Sequence, residues 1–250
     1  MEVRIRSGEL ALVGHLAQPA GEQAARRALV LCHGFPTGPR GGADSGHTYP
    51  QLADRVSAAT GWAVLAFNFR GTGESQGDFS LAGWMLDLRA AIDHVLAMHG
   101  VSEVWLAGFN MGGALAICAA GEHDTVCGVA SFGAPADFDD WAAAPTLLAE
   151  QCRSFGVIRS PGFPTDSDGW ARELAELRPL ALIGKVPPRP VLLVHGADDD
   201  EVSPMDARAL ADAADGHVDL RLLPGAGHRL RHDPRAVAVL LGWLARVGEC

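Results

Sequence analysis

The sequence predicts an α/β fold: a mainly parallel eight-stranded sheet with helices on both faces and a small helical cap. Three observations lead there. Apolar runs of strand length alternate with stretches of helical period along most of the 250 residues, the pattern of parallel strands joined by crossover helices. The rhythm breaks once, from Ala136 to Pro188, where the segment is too long for a plain crossover and carries Phe138, Trp141, Phe155, Phe163 and Trp170. Hydrophobic residues make up 48% of the chain and charged residues 20%, enough apolar surface to bury one core. Residues 1–250 therefore read as a single domain with 136–188 as an inserted cap.

The strand candidates are Ala28 to Cys32, Ala63 to Phe69, Glu103 to Phe109, Gly128 to Gly133, Val191 to Gly196 and Val218 to Pro224. Val3 to Ile5 and Leu10 to Leu16 add an antiparallel hairpin at one edge. Leu81, Trp84, Met85, Leu88, Ile92, Val95 and Leu96 recur at the three-and-four spacing of one helical face, with Ser80 as the cap. Weaker periodicity marks helices over Gln51 to Ala59, Gly112 to Ala120, Met205 to Ala214 and Arg235 to Arg246. Within the cap, "RSPGFPTDSDGW" (159–170) is dense in Pro, Gly and Asp and predicts a loop between two helices. "GFPTGPRGGADSGHTYP" (34–50) predicts a second loop at one end of the sheet.

A formal charge of −10 and a pI near 5.4 oppose binding to phosphate backbones and anionic lipid surfaces. A neutral or cationic small molecule is the expected partner, with no nucleic acid and no membrane; the sequence leaves the oligomeric state open. The N-terminal stretch lacks the uninterrupted apolar run of a secretion signal, and no run is long enough to span a bilayer, so a cytoplasmic location is expected. The five Cys, at 32, 118, 127, 152 and 250, show no Cys-x-x-Cys pair. They read as small buried hydrophobes, and no metal or cofactor is expected.

The chemistry concentrates in five motifs. "VWLAGFNMGGALA" (104–116) is a strand, a tight turn flanked by Gly108 and Gly112, and a helix opened by small residues, which is the geometry of a nucleophile elbow. "HGFP" (33–36) follows the first central strand, "FNFRGTGES" (67–75) the next, and "HGADDDEVS" (195–203) and "PGAGH" (224–228) close the set. In this order the motifs resemble the α/β-hydrolase family from Ala28 to about Leu244, with compact bacterial esterases and S33-peptidase-like members the most similar groups.

The resemblance implies roles for individual positions. It places an acid at Asp199 and a base at His228, with Asp137 an alternative acid because some members draw it from that point. It implies oxyanion donors at the backbone N–H groups of Phe35 and Met111, and a structural role for His33. The pocket is expected under the cap, lined by Phe35, Met111 and aromatics drawn from Trp141, Phe155, Phe163 and Trp170. Asn68 and Thr72 depart from the Asp and His more usual in the family.

The largest departure is Asn110, at the elbow position where the family has its serine. An amide nitrogen is delocalised and its oxygen uncharged, so the His–Asp pair finds no proton whose removal would give a good nucleophile. Losing one triad member costs a serine protease up to about a million-fold in turnover. Three expectations follow: a serine-type carboxylesterase that acts on small esters but has lost its nucleophile and is inactive or very weak, a pseudo-hydrolase that binds a small ligand without acyl transfer, or a His–Asp general base without a covalent intermediate. Asn110 itself should meet the ring of His228 through its side-chain N–H, and its carbonyl oxygen should approach the Phe35 and Met111 N–H groups.

Overall fold

The computed structural model describes residues 1–19, 21 and 25–248. Cys250 lies outside the described residues. Eight strands among them form one sheet: β1 (Glu2–Ser7), β2 (Leu10–Ala17), β3 (Arg27–Cys32), β4 (Ala63–Phe67), β5 (Glu103–Phe109), β6 (Val126–Phe132), β7 (Val191–Gly196) and β8 (Asp219–Leu223). Their order is β1-β2-β4-β3-β5-β6-β7-β8. From β4 to β8 every pairing is parallel, and only the β1–β2 hairpin and the β2–β4 pair are antiparallel. In β3, β4 and β7 nearly every residue is buried, as strands covered on both faces must be.

Ten α-helices among the described residues accompany them: α1 (Gly41–Asp44), α2 (Tyr49–Thr60), α3 (Leu81–Leu96), α4 (Met111–Glu122), α5 (Asp139–Ala143), α6 (Pro145–Ser154), α7 (Ser167–Glu176), α8 (Pro179–Leu182), α9 (Pro204–Ala213) and α10 (Pro234–Gly248). Helices α3, α4 and α9 bury their apolar sides on one face of the sheet, where Trp84, Leu88, Ile92, Leu115, Ile117 and Leu210 join one cluster with the cap residues Leu148, Cys152 and Leu174. Helices α2 and α10 cover the other face through Leu52, Val56, Leu240, Trp243 and Leu244. Ser80 caps α3 as expected, its hydroxyl accepting from Gly83 N–H.

Some boundaries moved. The stretch 34–50 holds the short α1 and the first two residues of α2. The strand expected to reach Phe69 ends at Phe67, because the Phe69 N–H bonds the His33 ring rather than a neighbouring strand. The cap contains four helices rather than two, and α7 begins at Ser167, inside the stretch expected to be loop. Asp166 starts it, its carboxylate accepting from Gly169 N–H at 2.9 Å, so a polar stretch that reads as a loop is also a helix start.

One strap fastens the cap to the sheet end. The Arg159 guanidinium donates to the carbonyls of Gly71, Gly73 and Ser75 at 2.9, 3.0 and 3.3 Å, and Asp78 accepts from the backbone N–H groups of Arg159 and Ser160 at 2.5 and 3.0 Å.

The tightest backbone crossing is at the start of α4. A Cβ on Gly112 would fall on the carbonyl oxygens of Cys32 and His33, whereas Gly242, exposed in the middle of α10, has nothing within 4 Å of that position. Gly112→Ala should destabilise the fold by about 1–3 kcal/mol through overpacking. Gly242→Ala should stabilise it by about 0.5–1 kcal/mol through helix propensity. Urea denaturation midpoints of the two variants, moving in opposite directions, check both.

Candidate active site

Asn110 sits between β5 and α4 with φ 51° and ψ −124°, a left-handed backbone that non-glycine residues adopt rarely. The surrounding glycines explain how the chain reaches it. A Cβ on Gly108 would strike the Gly112 carbonyl, one on Gly113 would lie 2.6 Å from the Ser131 hydroxyl, and one on Gly34 would lie 3.0 Å from the Asn110 Cβ. Asn110 N–H donates to Phe132 O at 2.7 Å, tying the turn to β6.

The other parts arrive on loops beyond the C-terminal ends of parallel strands, where open α/β sheets place their sites. Asp199 follows β7, and its side chain is fully buried. One carboxylate oxygen accepts from the N–H groups of Glu201 and Val202 at 3.0 and 2.9 Å, and the pair of oxygens faces His228 Nδ1 at 3.1 and 3.0 Å. His228, after β8, is thereby oriented with its Nδ1–H toward the acid and Nε2 toward the elbow. Asp137 does not reach it; its carboxylate accepts from Asp139 N–H at 3.0 Å.

The Asn110 side chain closes the arrangement. Its Nδ2 lies 2.5 Å from His228 Nε2, and its Oδ1 accepts from Met111 N–H at 2.5 Å. The network fixes the amide orientation: the flipped amide would set oxygen against the Nε2 lone pair and an NH2 group against an N–H. Of the two oxyanion donors implied by the resemblance, Met111 is thus occupied by Asn110. The Phe35 N–H has no hydrogen-bond partner among the described residues.

Two further residues belong to this site although the sequence assigns them no role in it. Glu201 Oε2 lies 3.8 Å from His228 Nε2 with its side chain half exposed. His195, buried, donates Nε2–H to Val202 O at 3.0 Å and lies 3.3 Å from Asp199 Oδ2, so it braces the turn that carries the acid. Both stand in the quoted "HGADDDEVS", where a crowd of acidic residues hides which one faces the ring.

His33 shapes the loop that holds Phe35. Its Nδ1 donates to Gly34 O at 2.8 Å, and its Nε2 accepts from Phe69 N–H at 3.2 Å. Thr72, one of the two departures from the family pattern, lies 3.2 Å from the same Nε2 and donates to Phe69 O at 2.6 Å. Asn68, the other, is wedged between Gly46 and Gly73.

A cavity of about 560 Å³ opens above the elbow, lined by Phe35, Met111, Phe138, Trp141 and Phe155 together with Asn110 and His228. Phe35 packs edge-on against Trp141 at 4.9 Å between ring centroids. The expectation that Phe163 and Trp170 line this pocket is corrected. Trp170, on α7, is buried against Phe79 just before α3, and Phe163 packs on the same cluster with its carbonyl held by Arg153. Asp137, Asp140, Glu201 and Asp206 also line the cavity, with no Lys or Arg among its lining residues.

Comparison with known proteins decides the family. The profile described as "alpha/beta hydrolase fold" matches residues 27–155. The chain belongs to the α/β-hydrolase fold family. Similar solved structures of this fold cover 98–100% of this chain at 19–20% identity. Est1E from Butyrivibrio proteoclasticus, with ferulic acid bound, is 20% identical over 98% of this chain and 97% of its own, with a TM-score of 0.75. The Pyrococcus furiosus esterase Pf2001 is 20% identical over 100% and 90%, with a TM-score of 0.68, and the α/β hydrolase GrgF from Penicillium sp. sh18 is 19% identical over 98% of each chain, with a TM-score of 0.72. No curated protein matches the sequence.

Among the described residues no cluster of His, Cys, Asp and Glu is placed to hold a metal ion, and no helix is long and apolar enough to cross a membrane. Burial raises the thiol pKa of Cys32 and Cys118 and, to about 12, that of Cys152, in keeping with thiols that serve as small hydrophobes.

Burial lowers the His33 pKa from 6.5 to about 4, against the Gly34 hydrogen bond, which raises it. The unfolded chain therefore binds the His33 proton at a higher pH than the folded one, so stability is fully present above about 6.5 and is lost as pH falls toward about 4. Urea midpoints measured from neutral pH down through that window should fall, and His33→Asn, which has no group titrating there, should show a shallower fall.

Proposed function

We propose that this protein carries a carboxylesterase-type acyl-transfer site whose nucleophile position is filled by Asn110, so that it binds small esters or related acyl compounds with turnover suppressed. The observation that carries the reading is the linear chain Asp199, His228, Asn110, Met111 N–H at a cavity with one aromatic wall and an acidic rim. With a hydroxyl at position 110, His228 would remove its proton, Asp199 would stabilise the imidazolium, and the Met111 and Phe35 N–H groups would receive the oxyanion. With an amide there, no nucleophile forms. Asn110 also lies against His228 Nε2, which works against the reading of His228 as a base serving a separate substrate: the carbonyl compound nearest to that ring is the Asn110 amide itself.

The roof suggests an aromatic or short acyl group stacked among Phe35, Trp141 and Phe155. A solved protein of this fold holds ferulic acid, which makes hydroxycinnamoyl esters a natural part of the panel. The four carboxylates of the lining favour neutral or cationic over anionic ligands.

Asn110→Ser should raise hydrolysis of p-nitrophenyl or hydroxycinnamoyl esters by at least about tenfold, and adding His228→Ala should remove the gain. Neutral or cationic esters should outperform anionic ones, with the difference shrinking as salt screens the carboxylates. If no ester in the panel responds to Asn110→Ser, the acyl-transfer reading is wrong and ligand binding alone remains.

A further inference from the structure

We propose that Asn110 is a self-hydrolysis site: His228 and the oxyanion donors convert its side-chain amide to the carboxylate, turning the elbow residue into an aspartate. The inference rests on the reading of His228 and Asp199 as a competent base pair. It starts from what the pocket holds. Asn110 presents a carboxamide, and each of its parts lies where the catalytic groups of an acyl-transfer site would act on a substrate amide. The carbonyl oxygen accepts from Met111 N–H at 2.5 Å at the N-terminal end of the twelve-residue α4, where developing negative charge is stabilised. The Phe35 N–H stands unpartnered on the loop whose Gly34 packs against the Asn110 Cβ. The nitrogen that must leave is 2.5 Å from the ring atom that would protonate it. The Asn110 side chain lines the 560 Å³ cavity, which gives water a path to it.

The step balances without a further reagent. A cavity water bonds through its oxygen to Asn110 Cγ while His228 Nε2 takes one of its protons. The carbonyl electrons move onto Oδ1, toward the Met111 N–H. On collapse the Cγ–Nδ2 bond breaks, and His228 returns the proton to Nδ2, which leaves as ammonia and takes up the carboxyl proton as ammonium. The same ring acts first as base and then as acid, with Asp199 stabilising the imidazolium between. The product carboxylate faces the N–H donors that favour an anion, and a carboxylate, unlike an amide, is a competent nucleophile.

A second chemistry could reach the same residue. At ψ −124° the Cα–Cβ bond of Asn110 eclipses the bond to Met111 N, so a cyclic imide between Cγ and Met111 N is sterically within reach. It is disfavoured because the Met111 N–H is turned toward Oδ1 as a donor rather than presenting a lone pair to Cγ. The two routes differ in product, since opening of an imide gives a mixture of aspartate and isoaspartate.

The test is a time course of the purified full chain at neutral pH in ordinary and heavy-oxygen water, read by peptide mass spectrometry across residues 104–122. The expected result is progressive amide-to-acid conversion confined to Asn110, one heavy oxygen in the new carboxyl group, aspartate without isoaspartate, and a rate at least about 100-fold lower in His228→Ala and strongly reduced in Asp199→Asn. An intact Asn110 throughout, an isoaspartate mixture, or equal conversion in folded His228→Ala overturns the proposal. If both variants fail to fold, the product identity in the unaltered chain decides. Ester hydrolysis by Asn110→Ser reports on the base pair with Asn110 removed, so an active serine variant beside an unconverted Asn110 overturns only the self-hydrolysis.

Discussion

The molecule is organised around one crossing of backbones, where the end of β5 turns into α4 directly beneath the loop that follows β3. Gly108, Gly112 and Gly113 let the strand, the helix and the neighbouring carbonyls of Cys32 and His33 approach at distances no side chain would permit. Gly34 does the same for the loop above. Compression at this point holds residue 110 at a positive φ and aims its side chain out of the sheet edge, while the loops after β7 and β8 deliver Asp199 and His228 to the same spot. The hydrogen bond from Asn110 N–H to Phe132 O shows that even the neighbouring strand helps hold the strained turn.

That backbone is indifferent to the chemistry of the side chain it presents. An amide of about the same reach as a carboxylate enters the slot and meets two complementary partners, an acceptor on His228 and a donor on Met111. A buried amide without partners would cost about 1–3 kcal/mol per unsatisfied group. Here His228 Nε2 and the Met111 N–H satisfy the amide, so an Asn at this position is compatible with an intact fold and an ordered site.

The alternation of strand and helix, the elbow and the acid and base loops were legible because each is a local pattern with a backbone reason. Gly108 and Gly112 announce close packing, and the apolar runs of β3 and β7 announce burial on both faces. What stayed hidden depends on contacts distant in sequence. Trp170 and Phe155 carry the same aromatic signal in the cap, yet one packs on Phe79 and the other faces the cavity, a distinction set by contacts with parts of the chain distant in sequence. Asp166 looks like part of a polar loop until its carboxylate is seen capping α7. Glu201 and His195 flank Asp199 within one short motif, and sequence alone does not say which neighbour folds back on the ring and which on the turn. Thr72 likewise reads as a departure from the family pattern until it is seen completing the environment of His33.

Occupancy of the Met111 N–H by Asn110 shifts where a ligand can be held. On the proposed reading, an acyl oxygen would have to displace Asn110 Oδ1 to reach the Met111 N–H, which forfeits a satisfied hydrogen bond worth about 0.5–1.5 kcal/mol net. The polar anchor is therefore weaker than in a site with both donors free, and more of the recognition falls to the aromatic wall of Phe35, Trp141 and Phe155. Such a wall discriminates by shape and area more than by charge, while the surrounding Asp137, Asp140, Glu201 and Asp206 select on charge at the mouth. On the proposed reading, recognition and chemistry, which share the oxyanion donors in an acyl-transfer enzyme, would be separated: the amide at the elbow engages His228 and the Met111 N–H, and a ligand would be left with the cap.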